Sequence, residues 1–116
     1  MKSRRNIGSI GEGLAVNYLE QQGYQVLEKN YRRGRGEIDV IVIKEDLLVF
    51  VEVKTKSRST ALRSEQKVRW HQKQKIRTTA TRYLSGCNWY GRVRFDVILV
   101  YLDPIGSIRH LPGYLS

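Results

Sequence analysis

Cysteine is nearly absent from this chain, histidine and proline are scarce, and basic residues outnumber acidic ones 21 to 11. The single Cys87 cannot form an intramolecular disulfide. With only His71 and His110 to join it, it cannot build a cysteine-based zinc site either. A chain without disulfides fits a reducing cytoplasm. No apolar run approaches the roughly 20 residues of a membrane span. The charged start Met1-Lys2-Ser3-Arg4-Arg5-Asn6 does not resemble a secretory signal. No basic amphipathic helix stands out, which argues against a membrane surface as partner. Repeats and low-complexity segments are missing. Gly8, Gly11 and Gly13 follow no strand, so they are not a dinucleotide fingerprint, and nothing points to a small-molecule cofactor.

What remains is positive charge on a globular chain. With 116 residues, 41% of them hydrophobic, residues 1–116 are expected to form one domain with a single core. A net charge of +10 says nothing about fold but favours a polyanionic partner. A basic solubility surface or a ribosome-associated role are the alternatives.

The chain is organised around Gly36-Glu37-Ile38-Asp39-Val40-Ile41-Val42-Ile43-Lys44-Glu45-Asp46-Leu47-Leu48-Val49-Phe50-Val51-Glu52-Val53-Lys54, two hydrophobic strands joined by a charged turn. Alternation puts Glu52 and Lys54 on one face with Leu48 and Phe50, and Val49, Val51 and Val53 on the other. A strand apolar on both faces belongs inside a covered sheet. Charges there are costly unless paired or bound to metal. If the strands form a hairpin, Asp39 meets Glu52 and Lys54 at one edge. Two carboxylates can hold a hard cation such as Mg²⁺, which can activate water at a phosphodiester, while the lysine positions that water or offsets developing charge. A buried ion pair of Lys54 with Glu52 or Asp39 is the structural alternative.

Asp39, followed after twelve intervening residues by Glu52-Val53-Lys54, resembles the Asp…Glu-x-Lys signature of the PD-(D/E)XK nuclease superfamily. The fuller run from Gly36 to Lys54 is similar to the bacterial YraN family, grouped with archaeal Holliday-junction resolvases. This likeness extends from the first helix to Arg94-Phe95-Asp96-Val97-Ile98. It implies an α/β fold with a restriction-endonuclease-like α-β-β-β-α-β core, a mixed central sheet flanked by helices. It also implies a Mg- or Mn-dependent endonuclease hydrolysing phosphodiester bonds in DNA, branched or damaged forms included. Asp39 and Glu52 would hold the metal beside the Val53 backbone carbonyl, and Lys54 would orient the attacking water. Glu12 matches a first-helix carboxylate that completes the metal site, although Ser9-Ile10-Gly11-Glu12 also reads as a capping box. Lys73, in the pair Lys73-Gln74, would contact the scissile phosphate or order water; a solvated helix lysine is the alternative. Asp96 matches a family pattern and is expected to be structural. Junction resolution needs two cuts, which is consistent with a homodimer. The alternative function is a non-catalytic DNA- or RNA-binding module that keeps the nuclease fold.

The remaining pattern predicts a frayed start through Asn6, a helix from Ile7 to about Gln22 ended by Gly23, and a strand over Tyr24–Tyr31. Arg32, Arg33 and Arg35, interleaved with Gly34 and Gly36, form a flexible loop suited to phosphate oxygens. Glu37 shares a face with Asp39, as a support for the site or a partner for Arg35. A mobile polar loop carrying Lys56 and Arg58 runs from Thr55 to Glu65. A second helix spans Gln66 to about Leu84, burying Val68, Gln72, Ile76, Thr79, Ala80 and Tyr83. Trp89 and Tyr90, in the next loop, are expected to pack under the sheet more readily than to stack on a base. A strand over Val93–Tyr101 and an edge strand over Ser107–Leu111 complete the chain, and His110 receives no chemical role.

Overall fold

The computed structural model describes residues 4–56, 70–103 and 105–116. Its elements are α1 (Arg4–Gln21), β1 (Gln25–Arg33), β2 (Gly36–Lys44), β3 (Leu47–Lys56), α2 (Trp70–Ser85), β4 (Arg92–Leu102) and β5 (Ile105–Leu111). The strands form one mixed sheet in the order β1-β2-β3-β4-β5. Only β3 and β4 run parallel; the other neighbours are antiparallel. A parallel pair needs a crossover connection, and α2 lies in it. This is the α/β arrangement with the α-β-β-β-α-β core that the resemblance implied.

The sheet is apolar on both faces because a helix covers each. On one face Ala15, Val16 and Leu19 of α1 pack on Val40, Val42, Val49, Val51, Ile98 and Val100. On the other, Ile76 and Ala80 of α2 pack on Ile38, Ile41, Leu48, Phe50, Val97 and Leu99. The exit from α1 follows from Gly23. At φ 94° it lets Tyr24 N–H reach Leu19 C=O at 3.0 Å and its own N–H reach Glu20 C=O at 3.0 Å. Those two bonds satisfy carbonyls that the helix end would otherwise leave open.

Several boundaries differ from the sequence pattern. The helix starts at Arg4, before the predicted Ile7, so Ser9 lies inside it and cannot cap it. The capping-box role for Glu12 therefore falls. Strand β1 runs through Arg33, because Arg32 pairs with Glu37 and Arg33 with Gly36. The expected flexible arginine loop is instead a tight hairpin turn, Gly34-Arg35, with Gly34 at φ 60°. Strand β3 continues through Thr55 and Lys56, held by pairing with Val100 and Tyr101 of β4. Arg58, Val68 and the predicted helix start at Gln66 lie outside the described residues. Gln72 is exposed rather than buried. Trp89 does pack beneath the sheet, whereas Tyr90 is 93% exposed.

Of the three α1 glycines, Gly11 has a clear steric reason: a Cβ there would overlap the Thr55 hydroxyl. Gly36 is similarly buried against Thr79 of α2. Gly36→Ala should therefore destabilise the fold by about 1–3 kcal/mol, the usual cost of overpacking. Adding Thr79→Ala should recover part of that loss in chemical denaturation. No recovery would mean that α2 does not press on this turn.

Candidate active site

Strands β2 and β3 part where the charges sit. Their ladder runs from Lys44↔Leu47 to Val40↔Val51 and stops there, leaving Asp39 opposite Glu52 without backbone pairing. The Asp39 carboxylate takes over, accepting the Val53 N–H at 2.8 Å through Oδ2. In an extended strand a residue's N–H and C=O point to the same edge. The Val53 carbonyl thus lies on the edge that β2 has vacated.

A second irregularity aims Asp39. On β1 the ladder joins Lys29 to Val40 and Tyr31 to Ile38 but skips Asn30 and Asp39 between them. Asn30 is left-handed at φ 52°, a conformation that asparagine tolerates better than most residues. Across from it, Ile38 packs on the α2 side and Val40 on the α1 side although they are two residues apart. Side-chain alternation therefore slips at Asp39. Glu37 is exposed and lies 3.7 Å from Arg32, so its ion-pair partner is Arg32 and not Arg35.

The electrostatics reflect crowding of like charge. Asp39 is pushed up to about 8, first by burial, then by the Glu52 charge and a hydrogen bond to Glu52, with Glu37 adding a little; the Val53 N–H pulls the other way. Glu12 is also raised, by burial and then by Asp39, while a hydrogen bond from Asn30 opposes this. Lys54 stands 3.8 Å from Glu52, both side chains about a quarter exposed, at 27% and 28%.

Three depressions surround this edge. Glu12 and Asp39 line one with Ser9, Asn17, Lys29 and Asn30, on the α1 side. Glu52 and Lys54 line the second with Arg35, Glu37, Gln72 and Lys75, on the α2 side. The third joins Glu12, Val53, Lys54 and Lys56 near Gly8. The structure thus brings Asp39, Glu52, Val53 and Lys54 together and leaves Glu12 beside them. Among the described residues, no three of His, Cys, Asp and Glu converge closely enough to form a metal cage by themselves. The donor set nonetheless suits a hard cation: two carboxylates and a free-edge carbonyl are oxygen ligands, and Mg²⁺ fills its other positions with water.

Of the expected phosphate contacts, Arg32, Arg33 and Arg35 are exposed on the hairpin, and Lys56 and Lys73 are partly buried. Sequence reasoning missed Asn30, whose signal was an asparagine inside a strand pattern, and did not single out Lys75 from the other helix lysines. It also missed His110, whose Nε2 lies 2.7 Å from Asp96. Asp96 itself has the expected structural role, gripped by Arg94 through two 2.8 Å bonds.

Among the described residues, no helix is long and apolar enough to cross a membrane. A family profile described as uncharacterised protein family UPF0102 matches residues 11–100. A UPF0102 protein of Caldanaerobacter subterraneus is 40% identical over 103 residues, covering 88% of this chain and 84% of its own. Another, from Cytophaga hutchinsonii, is 42% identical over 93 residues, with 80% and 82% covered. A third, from Alkaliphilus oremlandii, is 44% identical over 102 residues, with 84% and 86% covered. The chain therefore belongs to the uncharacterised protein family UPF0102, the YraN family that the run from Gly36 to Lys54 resembles.

Proposed function

We propose that this protein is a metal-dependent endonuclease that hydrolyses phosphodiester bonds in DNA, with branched or damaged DNA as its preferred form. The observation that carries the reading is the Asp39–Glu52 pair at a splayed strand end beside Lys54. A fold that forces two carboxylates together and pushes one to about 8 spends stability on the arrangement. A divalent cation or a shared proton relieves that repulsion, and only the cation leaves both groups as ligands at neutral pH.

Bound Mg²⁺ or Mn²⁺ supplies Lewis-acid chemistry at the phosphate and a more nucleophilic water. Asp39 and Glu52 would hold it, with the Val53 carbonyl beside them and Glu12 as an auxiliary carboxylate. The Lys54 ammonium orients the attacking water and offsets negative charge as the phosphorus becomes pentavalent. The exposed arginines Arg32, Arg33 and Arg35 hold the backbone. A homodimer would supply the two cuts that a junction requires.

The test is Mg²⁺-dependent nicking of supercoiled plasmid and of a panel of branched substrates. Glu52→Ala and Lys54→Ala should each abolish cleavage. Lys54→Ala should keep duplex affinity within a few fold, because one phosphate contact among many is a small part of binding. Wild-type protein that binds DNA tightly yet never cuts would favour the rival reading, a binding module that retains the fold. Tighter binding to RNA than to junction or linear DNA would redirect the substrate.

A further inference from the structure

On the α2 side, a depression lies between the β1–β2 turn and the helix. It is lined by Gly34, Arg35, Gly36, Lys75, Thr78, Thr79 and Arg82. It shares Arg35 and Lys75 with the depression that holds Glu52 and Lys54, so the two adjoin. Three cations line it and no carboxylate does. Among the described residues, no ion pair joins Arg35, Lys75 or Arg82 to an acidic side chain.

The geometry is built rather than incidental. Lys75, Thr78, Thr79 and Arg82 fall at helical spacings of three and four, on one stripe of α2. The turn is drawn onto that stripe because Gly36 has no Cβ to strike Thr79. The Arg82 guanidinium rests against Gly34, where a Cβ would come within 2.7 Å of its Nη1. Both threonine hydroxyls donate to helix carbonyls, Thr78 to Gln74 at 2.9 Å and Thr79 to Lys75 at 3.0 Å. The remaining side-chain donors lining the depression are therefore cationic. Lys75 and Arg82 are separated by about 10 Å along the helix axis, roughly the axial length of three nucleotides of one B-form strand.

We infer that this depression holds backbone phosphates of the duplex arm beside the cut, so that Arg35, Lys75 and Arg82 fix where along the arm the Asp39–Glu52 pair acts. The substrate comes from the nuclease reading above, but the binding test does not need cleavage. Free phosphate would meet the same cations. Only a polymer, however, spans the path from Lys54 to Arg82.

The experiment measures duplex DNA binding by fluorescence anisotropy with EDTA present, over a salt series of about 50 to 200 mM. Lys75→Gln with Arg82→Gln should flatten the slope of log affinity against log salt by about 1 to 2. Thr78→Glu places a carboxylate inside the depression. Thr81→Glu places the same charge on the same helix at an exposed position outside it, which controls for net charge. Thr78→Glu should weaken binding about tenfold or more, and Thr81→Glu only about twofold. Equal effects of the two, with an unchanged slope for the glutamine pair, would overturn the inference. Inorganic phosphate that competes with DNA at micromolar concentration would overturn it too, by showing a small-anion site. If wild type cleaves but Thr78→Glu binds like Thr81→Glu, the subsite alone falls. If the expected losses appear in a protein that never cleaves, the subsite stands and the nuclease reading falls.

Discussion

Asp39→Asn should make the metal-free protein more stable at neutral pH and remove most of its pH dependence between about pH 4 and 8. Asp39 titrates near 3.8 when unfolded and is pushed up to about 8 when folded, by burial and by Glu52. A carboxyl raised in the folded state binds its proton more tightly there. Its stabilising contribution is complete below the unfolded value and is lost as pH climbs through the folded one. The wild-type protein should therefore weaken steadily from pH 4 to pH 8. Glu12, also raised, acts in the same direction. One pKa unit corresponds to about 1.4 kcal/mol. Partial exposure screens the site, so on the order of 3 kcal/mol is expected, or roughly 10 °C in melting temperature for a domain of this size.

Asparagine imitates the protonated acid. Its oxygen can accept the Val53 N–H, as Asp39 does at 2.8 Å, and its amide can donate to Glu52. The variant should hold the neutral-pH melting temperature that wild type reaches only in acid. It should also lose the response to Mg²⁺, which at about 100 times its dissociation constant would add roughly 2.7 kcal/mol to wild type. Thermal melts with EDTA and with Mg²⁺, at several pH values, give both readouts. A wild-type melting temperature that does not fall between pH 4 and 8 would show that Asp39 is not strained by Glu52.

Such strain is visible in the sequence only in outline. An aspartate and a glutamate interrupting hydrophobic strands, with a turn between them, were enough to predict that the two would meet. Apolar residues on both faces of β3 were enough to require a helix on each side, and Gly23 marked the end of α1. These features are local or follow from a period of two. The missing features depend on distant partners. Nothing near Asn30 announces that it will turn left-handed opposite Asp39, and without that the slip of alternation at Asp39 cannot be read. Gly36 looked like loop flexibility because Thr79, the residue that requires it, is on another element. The helix start at Arg4 was hidden because arginine propagates a helix well but gives no capping signal. His110 looked solitary because Asp96, its partner, lies on the neighbouring strand.

That partnership carries the second large effect: Asp96→Ala should cost about 3–5 kcal/mol, a large part of the stability of an ordinary domain. Asp96 is completely buried. Burial alone would raise its pKa, but His110, the Arg94 guanidinium and the Gly113 N–H together hold it below the usual carboxylate value. Each oxygen has two donors: Arg94 Nε at 2.8 Å and Gly113 N at 2.9 Å on Oδ1, Arg94 Nη2 at 2.8 Å and His110 Nε2 at 2.7 Å on Oδ2. Because a carboxylate only accepts, Nε2 carries the hydrogen, and Nδ1 of a neutral ring then accepts from the Tyr18 hydroxyl at 2.9 Å. The group thus fastens α1, β4, β5 and the C-terminal turn to one another. Alanine leaves the Arg94 charge, the imidazole and the Gly113 N–H facing an empty site. Asparagine is little better, since its amide points donors at donors. Because the folded pKa is depressed, this contribution is present above about pH 4 and is lost as pH falls through the folded value. Asp96 therefore contributes to the acid limb of the stability curve, and Asp39, with Glu12, to the neutral limb. Urea unfolding of Asp96→Ala, Arg94→Ala and the double variant should show strong coupling, with the double variant losing much less than the sum. If the protein is the metal-dependent nuclease proposed above, Asp96→Ala should keep the wild-type Mg²⁺-dependent cleavage below its melting temperature. A folded Asp96→Ala protein that no longer cuts would instead make Asp96 part of the active site.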